Sequence, residues 1–435
     1  MKVVLIEPSA SFANEPNMNP PLGLAYISAY LKANGVKDIM AVDFTVPGTT
    51  VESIPLDADV YGISGMTPQW KSVVEIIKYI RVHNWNCKIM IGGHHITNCP
   101  EDLPIEATGA VRGDGEEAMF MAVTTCYYGS ISEINRVDVS KLPWPDRDVF
   151  GLDNYVRTIK GEKAVHIITS RGCPFSCSFC CRVSVGRKVR YRIVEDIIEE
   201  IDFIKAKYGT RAFVIYDDIF TLNKDRVSRL CQEFRKRDII WRCWSRADTL
   251  TYDLLREMRD SGLSSITMGV ESGSDIVLES IEKGLTRERN KQALLWCKQL
   301  EVPVRCSLMY GNPGESKETV QDTIDLITEC QPDEWNLAIL TPIPGSAIWN
   351  EPERFGIKFD KQWVRSRLYD VTNRFGNSGV GDNWYQFTNM TPEEFSKNLK
   401  YFTTTLESKC PRKNIQDSIQ IIDIDKVNRY SGICS

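Results

Sequence analysis

The chain lacks the features that mark secreted and membrane proteins. Residues 1–7 have neither the long apolar core nor the cleavage site of a signal peptide. No apolar run approaches the roughly 18 residues that a membrane-spanning helix needs. The fourteen cysteines show no repeating disulfide pattern, and in a chain of 435 residues this favours a reducing compartment. We therefore expect a cytoplasmic protein without a membrane segment.

An excess of positive charge is also missing. The formal net charge is −5, which disfavours a general nucleic-acid-binding function. The apolar content of 42% and the charged content of 26% are those of an ordinary globular protein. No internal repeat or low-complexity tract is present in the sequence. The length therefore predicts two to three separate domains, each able to bury a core.

Over the first 130 residues, short apolar strands alternate with helices. The predicted strands are 2–7, 39–43, 60–64, 88–92 and 110–112, and the predicted helices are 22–34, 69–82 and 116–126. This α/β alternation predicts a Rossmann-like, doubly wound parallel sheet over 1–135. Ligands of such sheets bind beyond the carboxyl ends of the strands. A nucleotide-binding module is less favoured, because no Gly-x-Gly-x-x-Gly follows the first strand.

A proline-containing linker is expected over 136–160, after which the alternation restarts. The predicted strands are 165–169, 212–217, 241–245, 265–270, 302–309 and 334–340, and the predicted helices are 193–208, 224–237, 251–261, 287–300 and 319–330. Six β/α units with right-handed crossovers predict a partial (β/α)6 barrel over 161–348, with its site at the carboxyl ends of the strands. Residues 349–435 are expected to form a small α-rich cap with a mobile Gly/Asn-rich loop at 376–383.

Three cysteines follow the first predicted barrel strand with the spacing Cys-x3-Cys-x2-Cys. They are Cys173, Cys177 and Cys180. Three thiolates on one loop can bind three irons of a [4Fe–4S] cluster and leave the fourth iron open for chemistry. Structural zinc sites usually close all four positions with two pairs of cysteines. A zinc or redox site that uses Cys181 as a fourth ligand is the alternative, although its adjacency to Cys180 is unfavourable geometry.

This loop resembles that of the radical S-adenosylmethionine (radical SAM) superfamily, in which the open iron binds SAM. The resemblance continues at the predicted barrel mouth. It implies that Phe179 packs against the SAM adenine and that Arg246 binds the SAM carboxylate. Glu271 and Ser272 would contact the ribose, and the backbone of Gly311 and Leu340 would contact the adenine edge. Asp217 and Asp218 are candidates for substrate contacts, with a structural role as the alternative.

Four motifs before residue 120 resemble cobalamin-binding domains that are fused to radical SAM domains. The residues that the resemblance assigns to cobalamin are Pro21, Leu22, Gly23, Ser64, Met66, Thr67, Gln69, Gly92, Gly93, His95, Thr97, Gly113, Gly115 and Glu116. The Asp-x-His-x-x-Gly motif of cobalamin-dependent mutases is absent. The resemblance therefore implies cobalt without a histidine ligand, its lower face open or weakly bound by Met66, Gln69 or Trp70. His95 is expected to bond backbone or a corrin amide.

The combined resemblance implies a cobalamin-dependent radical SAM C-methyltransferase, in which a 5′-deoxyadenosyl radical takes hydrogen from an unactivated carbon that then receives methyl from cobalt. A donor such as ferredoxin or flavodoxin would supply electrons. The substrate is expected to be a peptide or protein side chain, such as Gln or Arg, or a small molecule. Three alternatives remain: a non-methylating cyclase, rearranging or hydroxylating enzyme; a cobalamin carrier or sensor; and a methylthiotransferase using Cys87, Cys99 and Cys126.

Overall fold

The computed structural model describes residues 1–11, 13, 15–125, 131–369 and 388–413. The described chain forms two compact units: one contains 1–156 and 360–369, the other 157–359 and 388–413. The expected linker is thus divided after Val156, and the two longer helices of the expected cap belong to different units. The expected loop at 376–383 and Cys126 lie outside the described residues.

The first unit is built on a six-stranded parallel sheet with the order β2-β1-β3-β4-β5-β6. Its strands are β1 (Lys2–Glu7), β2 (Asp38–Asp43), β3 (Val60–Ser64), β4 (Lys88–Gly92), β5 (Gly109–Gly113) and β6 (Ile131–Asn135). The doubly wound fold is confirmed, and β6 is a strand that the sequence analysis did not predict. The strand order reverses between β1 and β3, and such a switch point is where open α/β sheets bind ligands.

The helices of this unit cover the sheet with apolar stripes. They are α1 (Leu22–Ala33), α2 (Trp70–His83), α3 (His94–Asn98), α4 (Glu116–Thr124) and α13 (Lys361–Tyr369). In α2, Val73, Ile76, Ile77 and Ile80 are each at most 1% exposed. Their i, i+3, i+4, i+7 spacing places them on one helix face, which packs on the strands and explains why this stretch is helical.

The second unit is the predicted open barrel. Six parallel strands follow one another in chain order, and a short antiparallel strand extends the sheet at one edge. The strands are β7 (Thr158–Ile159, antiparallel), β8 (Glu162–Ile167), β11 (Ala212–Ile215), β12 (Ile240–Ser245), β13 (Leu263–Glu271), β14 (Val304–Tyr310) and β15 (Glu334–Ile339). A separate two-stranded ribbon, β9 (Ser170–Arg171) and β10 (Arg190–Tyr191), closes the base of the cysteine loop.

Helices separate the barrel strands as the alternation predicted. They are α5 (Arg182–Val185), α6 (Val194–Tyr208), α7 (Lys224–Lys236), α8 (Tyr252–Asp260), α9 (Asp275–Ser280), α10 (Arg287–Gln299), α11 (Lys317–Cys330), α12 (Ala347–Asn350) and α14 (Pro392–Lys409). Helix α14 packs against α11, burying Phe395 and Phe402. Among the described residues, no helix combines the length and the apolar character needed to cross a membrane.

Candidate functional site

The cysteine loop leaves ribbon strand β9 and folds back over residues 186–188. The backbone N–H of Cys173 donates to the Gly186 carbonyl at 3.0 Å, and that of Cys180 donates to the Cys177 carbonyl at 3.2 Å. Gly172 has a φ of +109°, and a Cβ there would lie 2.5 Å from the Lys188 carbonyl oxygen. Glycine is therefore needed at this position for the loop to turn.

Two adjacent carboxylates after β11 hold the base of the loop. Asp217 is 3% exposed and accepts four hydrogen bonds of 2.5–3.0 Å from the N–H and hydroxyl groups of Thr169 and Ser170. Asp218 accepts from the Gly172 N–H at 2.9 Å. Both residues thus fix the chain that enters the loop. Substrate contact by either carboxylate stays a prediction, and both oxygens of Asp217 are already in use.

Burial makes the loop thiols poor acids on their own. It raises the pKa of Cys180 to about 12, with a further contribution from the neighbouring Cys177 and Cys173, and it also raises the pKa of Cys173. At neutral pH these two thiols hold their protons unless a cation takes the protons' place. Metal binding at the loop would therefore release protons.

Cys181 is engaged away from the other three sulfurs. Its thiol donates to the Pro344 carbonyl at 3.4 Å and lies 3.4 Å from the Ser184 hydroxyl. The alternative in which Cys181 completes a zinc site requires the thiol to lose its hydrogen bond to the Pro344 carbonyl.

Arg246 lies beside the loop at the end of β12 and is 3% exposed. Its guanidinium donates to both oxygens of Asp248 at 3.1 and 3.2 Å and to the Lys283 carbonyl at 2.7 Å. It also lies 3.4 Å from Cys177 Sγ and 3.6 Å from the centre of the Phe175 ring. The carboxylate that it binds here is thus the protein's own, and its expected role toward the SAM carboxylate stays a prediction.

The two residues expected at the ribose end β13 and begin the loop after it. Glu271 pairs with the buried Lys283 at 2.8 Å, and a Cβ at Gly269 would lie 2.6 Å from Glu271 Oε1. The Glu271 backbone has a φ of +62°, a left-handed conformation that costs a non-glycine residue about 1–2 kcal/mol. Ser272 is 1% exposed, and its hydroxyl lies 3.2 Å from that of Thr323.

Lys283 and Asp248, the partners of Glu271 and Arg246, were not predicted from the sequence. Lys283 Nζ also lies 5.7 Å from the centre of the Phe179 ring, which is the side chain expected against adenine. Neither partner stands in a motif. Both lie in stretches that contain other charged or polar residues, so the sequence held no signal that singled them out.

The loop expected at the adenine edge is fixed by a buried glutamate. Glu315 accepts from the backbone N–H groups of Gly311 and Asn312 at 2.6 and 2.9 Å, and its burial raises its pKa to about 7. Gly311 has a φ of +83°, with Phe395 3.1 Å from where a Cβ would lie. The Leu340 N–H donates to the Tyr310 carbonyl at 2.7 Å.

In the first unit, the loop after β3 is tied to β1 by Gln69. This side chain is 2% exposed, donates to Glu7 Oε1 at 2.9 Å and to the Pro8 carbonyl at 3.0 Å, and accepts from the Met66 N–H at 2.9 Å. Gln69 is therefore committed to holding the loop. Met66, at the loop tip, is 41% exposed.

His95 is fully buried, with both ring nitrogens next to side chains. Nδ1 lies 3.2 Å from the Thr67 hydroxyl and Nε2 lies 3.0 Å from Asp102, while the ring packs on Trp70 with centroids 4.0 Å apart. Burial lowers the pKa of His95. In this arrangement the partners of the imidazole are side chains, where the sequence analysis expected backbone or a corrin amide.

Helix α13 closes this cluster from a distant part of the chain. Arg365 pairs with Asp102 and Glu101, each at 2.9 Å, and the Tyr369 hydroxyl donates to Asp102 at 2.9 Å. Burial alone would raise the pKa of Asp102, but the hydrogen bonds from His95 and Tyr369 and the charge of Arg365 lower it. We call Thr67, His95, Asp102, Arg365 and Tyr369 the His95 cluster. No sequence motif linked α13 to this cluster.

The motif glycines divide into packed and open positions. A Cβ on Gly93 would lie 2.6 Å from the Gly65 nitrogen, one on Gly113 2.3 Å from the Asn135 carbonyl, and one on Gly115 2.7 Å from Ile27. In contrast, a Cβ on Gly23 would meet nothing within 4 Å, and one on Gly92 would have its nearest atom at 3.9 Å. The backbone is thus open at Gly23 and has only one ordinary contact at Gly92.

The remaining motif residues lie at the carboxyl ends of the strands or the starts of the helices. Pro21 precedes α1, Leu22 begins it with 6% exposure, and the buried Glu116 begins α4. Ser64 ends β3, and the Thr97 hydroxyl accepts from the Gly113 N–H at 3.1 Å. The exposed His94, next to the buried His95, was not among the predicted residues.

Comparison with known proteins identifies both units. Residues 167–327 match the family model of the radical SAM superfamily, and residues 11–122 match that of the B12 binding domain. The chain thus carries a radical SAM domain and a B12-binding domain. As a radical SAM enzyme, it uses a [4Fe–4S] cluster and SAM, together with cobalamin.

Two curated relatives match most of the chain. An uncharacterized methyltransferase of Pyrococcus horikoshii is 28% identical over 95% of this chain and 91% of its own length. The anaerobic magnesium-protoporphyrin IX monomethyl ester cyclase of Rubrivivax gelatinosus is 25% identical over 81% of this chain and 70% of its own.

Two solved structures share the fold. The radical SAM methyltransferase TsrM from Kitasatospora setae aligns with a TM-score of 0.64 and 16% identity over 83% of this chain and 80% of its own. The cobalamin-dependent SAM radical enzyme OxsB aligns with a TM-score of 0.66 and 19% identity over 99% of this chain and 65% of its own.

The cysteine loop fits the cluster of a radical SAM enzyme. Ligand sulfurs on one zinc ion lie about 3.8 Å apart, because each Zn–S bond is about 2.3 Å. Among the described residues, the only group whose ligand atoms all lie within 4.8 Å of one another is His95, Cys99 and Asp102. The three loop sulfurs thus do not converge on a single zinc position, and Cys173, Cys177 and Cys180 would each bind one iron of the cluster.

The carboxyl edge of the first sheet fits cobalamin. A large ligand needs open backbone beside the switch point, and Gly23, Gly92 and the exposed Met66 provide it. The buried His95 is not free to approach a metal, which agrees with the missing Asp-x-His-x-x-Gly motif. The same group at His95, Cys99 and Asp102 is an unsuitable metal site, because Arg365 already supplies its positive charge.

Proposed function

We propose that this protein is a C-methyltransferase that transfers a methyl group from cobalamin to an unactivated carbon. The observation that carries the proposal is that one chain holds two different cofactor sites: a three-thiol loop at the barrel, and an open carboxyl edge on a B12-binding sheet. One relative in sequence and one neighbour in structure are both named methyltransferases. A carrier or sensor would not need the constrained cysteine loop.

The chain's own contribution is positioning and the exclusion of water. When bound, the cluster and SAM supply a 5′-deoxyadenosyl radical, and cobalamin supplies the methyl group. Asp217 and Asp218 fix the entry of the cysteine loop, and Glu315 fixes the loop after β14. These rigid loops reduce the reorganisation needed at the barrel mouth, where a reactive radical must be kept from solvent.

The substrate that we propose to test first is a peptide or protein side chain, such as Gln or Arg. Tyr216 follows β11 and is 45% exposed, and its ring meets those of His166 and Trp244 edge to face, with centroids 5.4 and 5.2 Å apart. Such a partly exposed aromatic wall can pack the apolar part of a side chain. Ferredoxin or flavodoxin is the proposed electron donor.

Product analysis tests the proposed reaction. The full chain, loaded with cluster and cobalamin and given SAM, reductant and candidate peptides, should form S-adenosylhomocysteine and 5′-deoxyadenosine in near-equal amounts. The peptide should gain the mass of one methylene group. Cys173→Ser should abolish 5′-deoxyadenosine formation and the mass gain of the peptide, whereas Cys181→Ser is the matched control and should retain both, because the Cys181 thiol bonds Pro344 and Ser184.

The second candidate is a cyclase or another non-methylating enzyme, favoured by the cyclase relative that spans 81% of the chain. The same assay separates the two. Formation of 5′-deoxyadenosine with substrate turnover but without S-adenosylhomocysteine would reject methylation and support the second candidate.

A further inference from the structure

The guanidinium of Arg246 makes a direct contact with the cysteine loop. Its Nη1 donates to Cys177 Sγ at 3.4 Å, within the range of an N–H···S hydrogen bond. Cys177 is 8% exposed and Arg246 is 3% exposed. The contact is therefore shielded from water, and an electrostatic interaction there is stronger than one at the surface.

The guanidinium is held so that this contact persists. Asp248 binds it through two parallel hydrogen bonds and the Lys283 carbonyl through a third, at 2.7 Å. The Phe175 ring, two residues before Cys177, packs 3.6 Å from the guanidinium carbon. Three neighbours thus fix a planar group whose remaining nitrogen, Nη1, donates to sulfur.

The chemical consequence follows from charge. A [4Fe–4S] cluster gains one negative charge on one-electron reduction, and part of that charge resides on its thiolate ligands. A cationic hydrogen-bond donor on a ligand sulfur stabilises the reduced state more than the oxidised state. Hydrogen bonds to sulfur are among the factors that set the reduction potentials of such clusters.

We propose that Arg246 is a positioning residue that raises the reduction potential of the cluster through its hydrogen bond to Cys177. This differs from the role expected from the sequence, a clamp on the SAM carboxylate. The proposal depends on the cluster and not on methyl transfer, so it stands or fails independently of the proposed function.

The experiment is an EPR-monitored redox titration of the reconstituted full-length protein. Arg246→Gln should shift the midpoint potential to a more negative value. Arg246→Lys keeps the charge but loses the planar fork, so its shift should be smaller. Phe175→Leu loosens the guanidinium without changing any charge and should shift the potential in the same direction. Iron and sulfide content establish that each variant holds an intact cluster.

A matched control removes the same charge elsewhere in the unit. Arg229 on α7 pairs with Glu195 at 2.7 Å and is 61% exposed. Arg229→Gln should leave the midpoint potential unchanged. An equal shift in this variant would mean that net charge, and not the hydrogen bond, sets the potential, and would overturn the proposal.

SAM affinity, measured on the same proteins, separates the two roles of Arg246. Weaker SAM binding with a wild-type potential in Arg246→Gln would assign the guanidinium to the SAM carboxylate and reject the proposal. If Arg246→Gln cannot hold a cluster, Arg246→Lys and Phe175→Leu decide the matter, because wild-type potentials in both would reject it as well.

Discussion

The first unit and the barrel both place polar side chains at the carboxyl ends of parallel strands, but they fix them differently. In the barrel, Asp217 is bound by residues 47 and 48 positions away, on the neighbouring strand end. In the first unit, Asp102 is bound by Arg365 and Tyr369, which lie 263 and 267 positions away. The barrel mouth is thus built from successive β/α units, whereas the B12-binding edge depends on a helix contributed after the barrel. Changes to α13 should therefore affect the first unit alone.

The largest expected loss of stability comes from removing the Asp217 carboxylate, which holds the entry of the cysteine loop. Asp217→Asn replaces one accepting oxygen by an NH2 group that cannot accept from Thr169 and Ser170. Loss of charge-assisted, buried hydrogen bonds should lower the free energy of unfolding by about 3 kcal/mol. Urea denaturation measures this change, and the iron content after reconstitution should fall because the cysteine loop loses its base.

The matched control is Asp225→Asn on α7, an exposed carboxylate whose change should stay within about 0.5 kcal/mol. A wild-type unfolding midpoint and full iron content for Asp217→Asn would show that the barrel's loop is held by other contacts.

A smaller loss of unfolding free energy is expected when Gly93, at the carboxyl edge of the first unit's sheet, is replaced by Ala. The φ of +95° and the Gly65 nitrogen 2.6 Å from the added Cβ both oppose a side chain. Strain and displacement should cost about 2 kcal/mol. The contrasting variant is Gly23→Ala, whose Cβ meets nothing within 4 Å and whose helix gains propensity. Equal urea midpoints for the two variants would refute the tight approach of the loops after β3 and β4.

The sequence predicted the two parallel folds and the cysteine loop because each follows from local periodicity or spacing. The family comparison confirmed the expected cofactors. The sequence could not predict which motif residues would have their polar groups engaged in hydrogen bonds within the protein. Gln69 and Arg246 both looked available for a ligand, yet their partners, Glu7 and Asp248, become visible only when loops are placed side by side. The contribution of α13 depends on long-range packing that no local pattern records.

The contact between helix α13 and Asp102 can be weakened by removing a single oxygen atom. Tyr369→Phe removes the hydroxyl that donates to Asp102 at 2.9 Å, and the loss of a hydrogen bond to a carboxylate should cost about 1.5 kcal/mol in unfolding free energy. Tyr401→Phe is the control, because its hydroxyl bonds Gln321 at the surface of the second unit. Hydrogen exchange should locate the effect of Tyr369→Phe in the loops after β3 and β4. Faster exchange in the barrel strands would contradict the independence of the two units.

The smallest effect is a pH dependence of stability that compares two glutamates with raised pKa values, one at each sheet edge. Burial raises the pKa of Glu315 to about 7 and that of Glu7 to about 8, from 4.5 in the unfolded chain. The folded state therefore holds each proton more tightly, and the free energy of unfolding falls as pH rises from 4.5 towards the folded pKa. For Glu315 the fall between about pH 6 and pH 8 should be about 1 kcal/mol. Glu315→Gln should flatten this dependence, and a profile as steep as that of the wild type would contradict a protonated Glu315.

Glu7→Gln should flatten the pH dependence over a window that extends to higher pH, since the folded pKa of Glu7 is higher. Flattening of the same pH window by both variants would contradict the difference between the two folded pKa values. The different hydrogen-bond partners, Gln69 for Glu7 and backbone N–H groups for Glu315, would then not determine those pKa values.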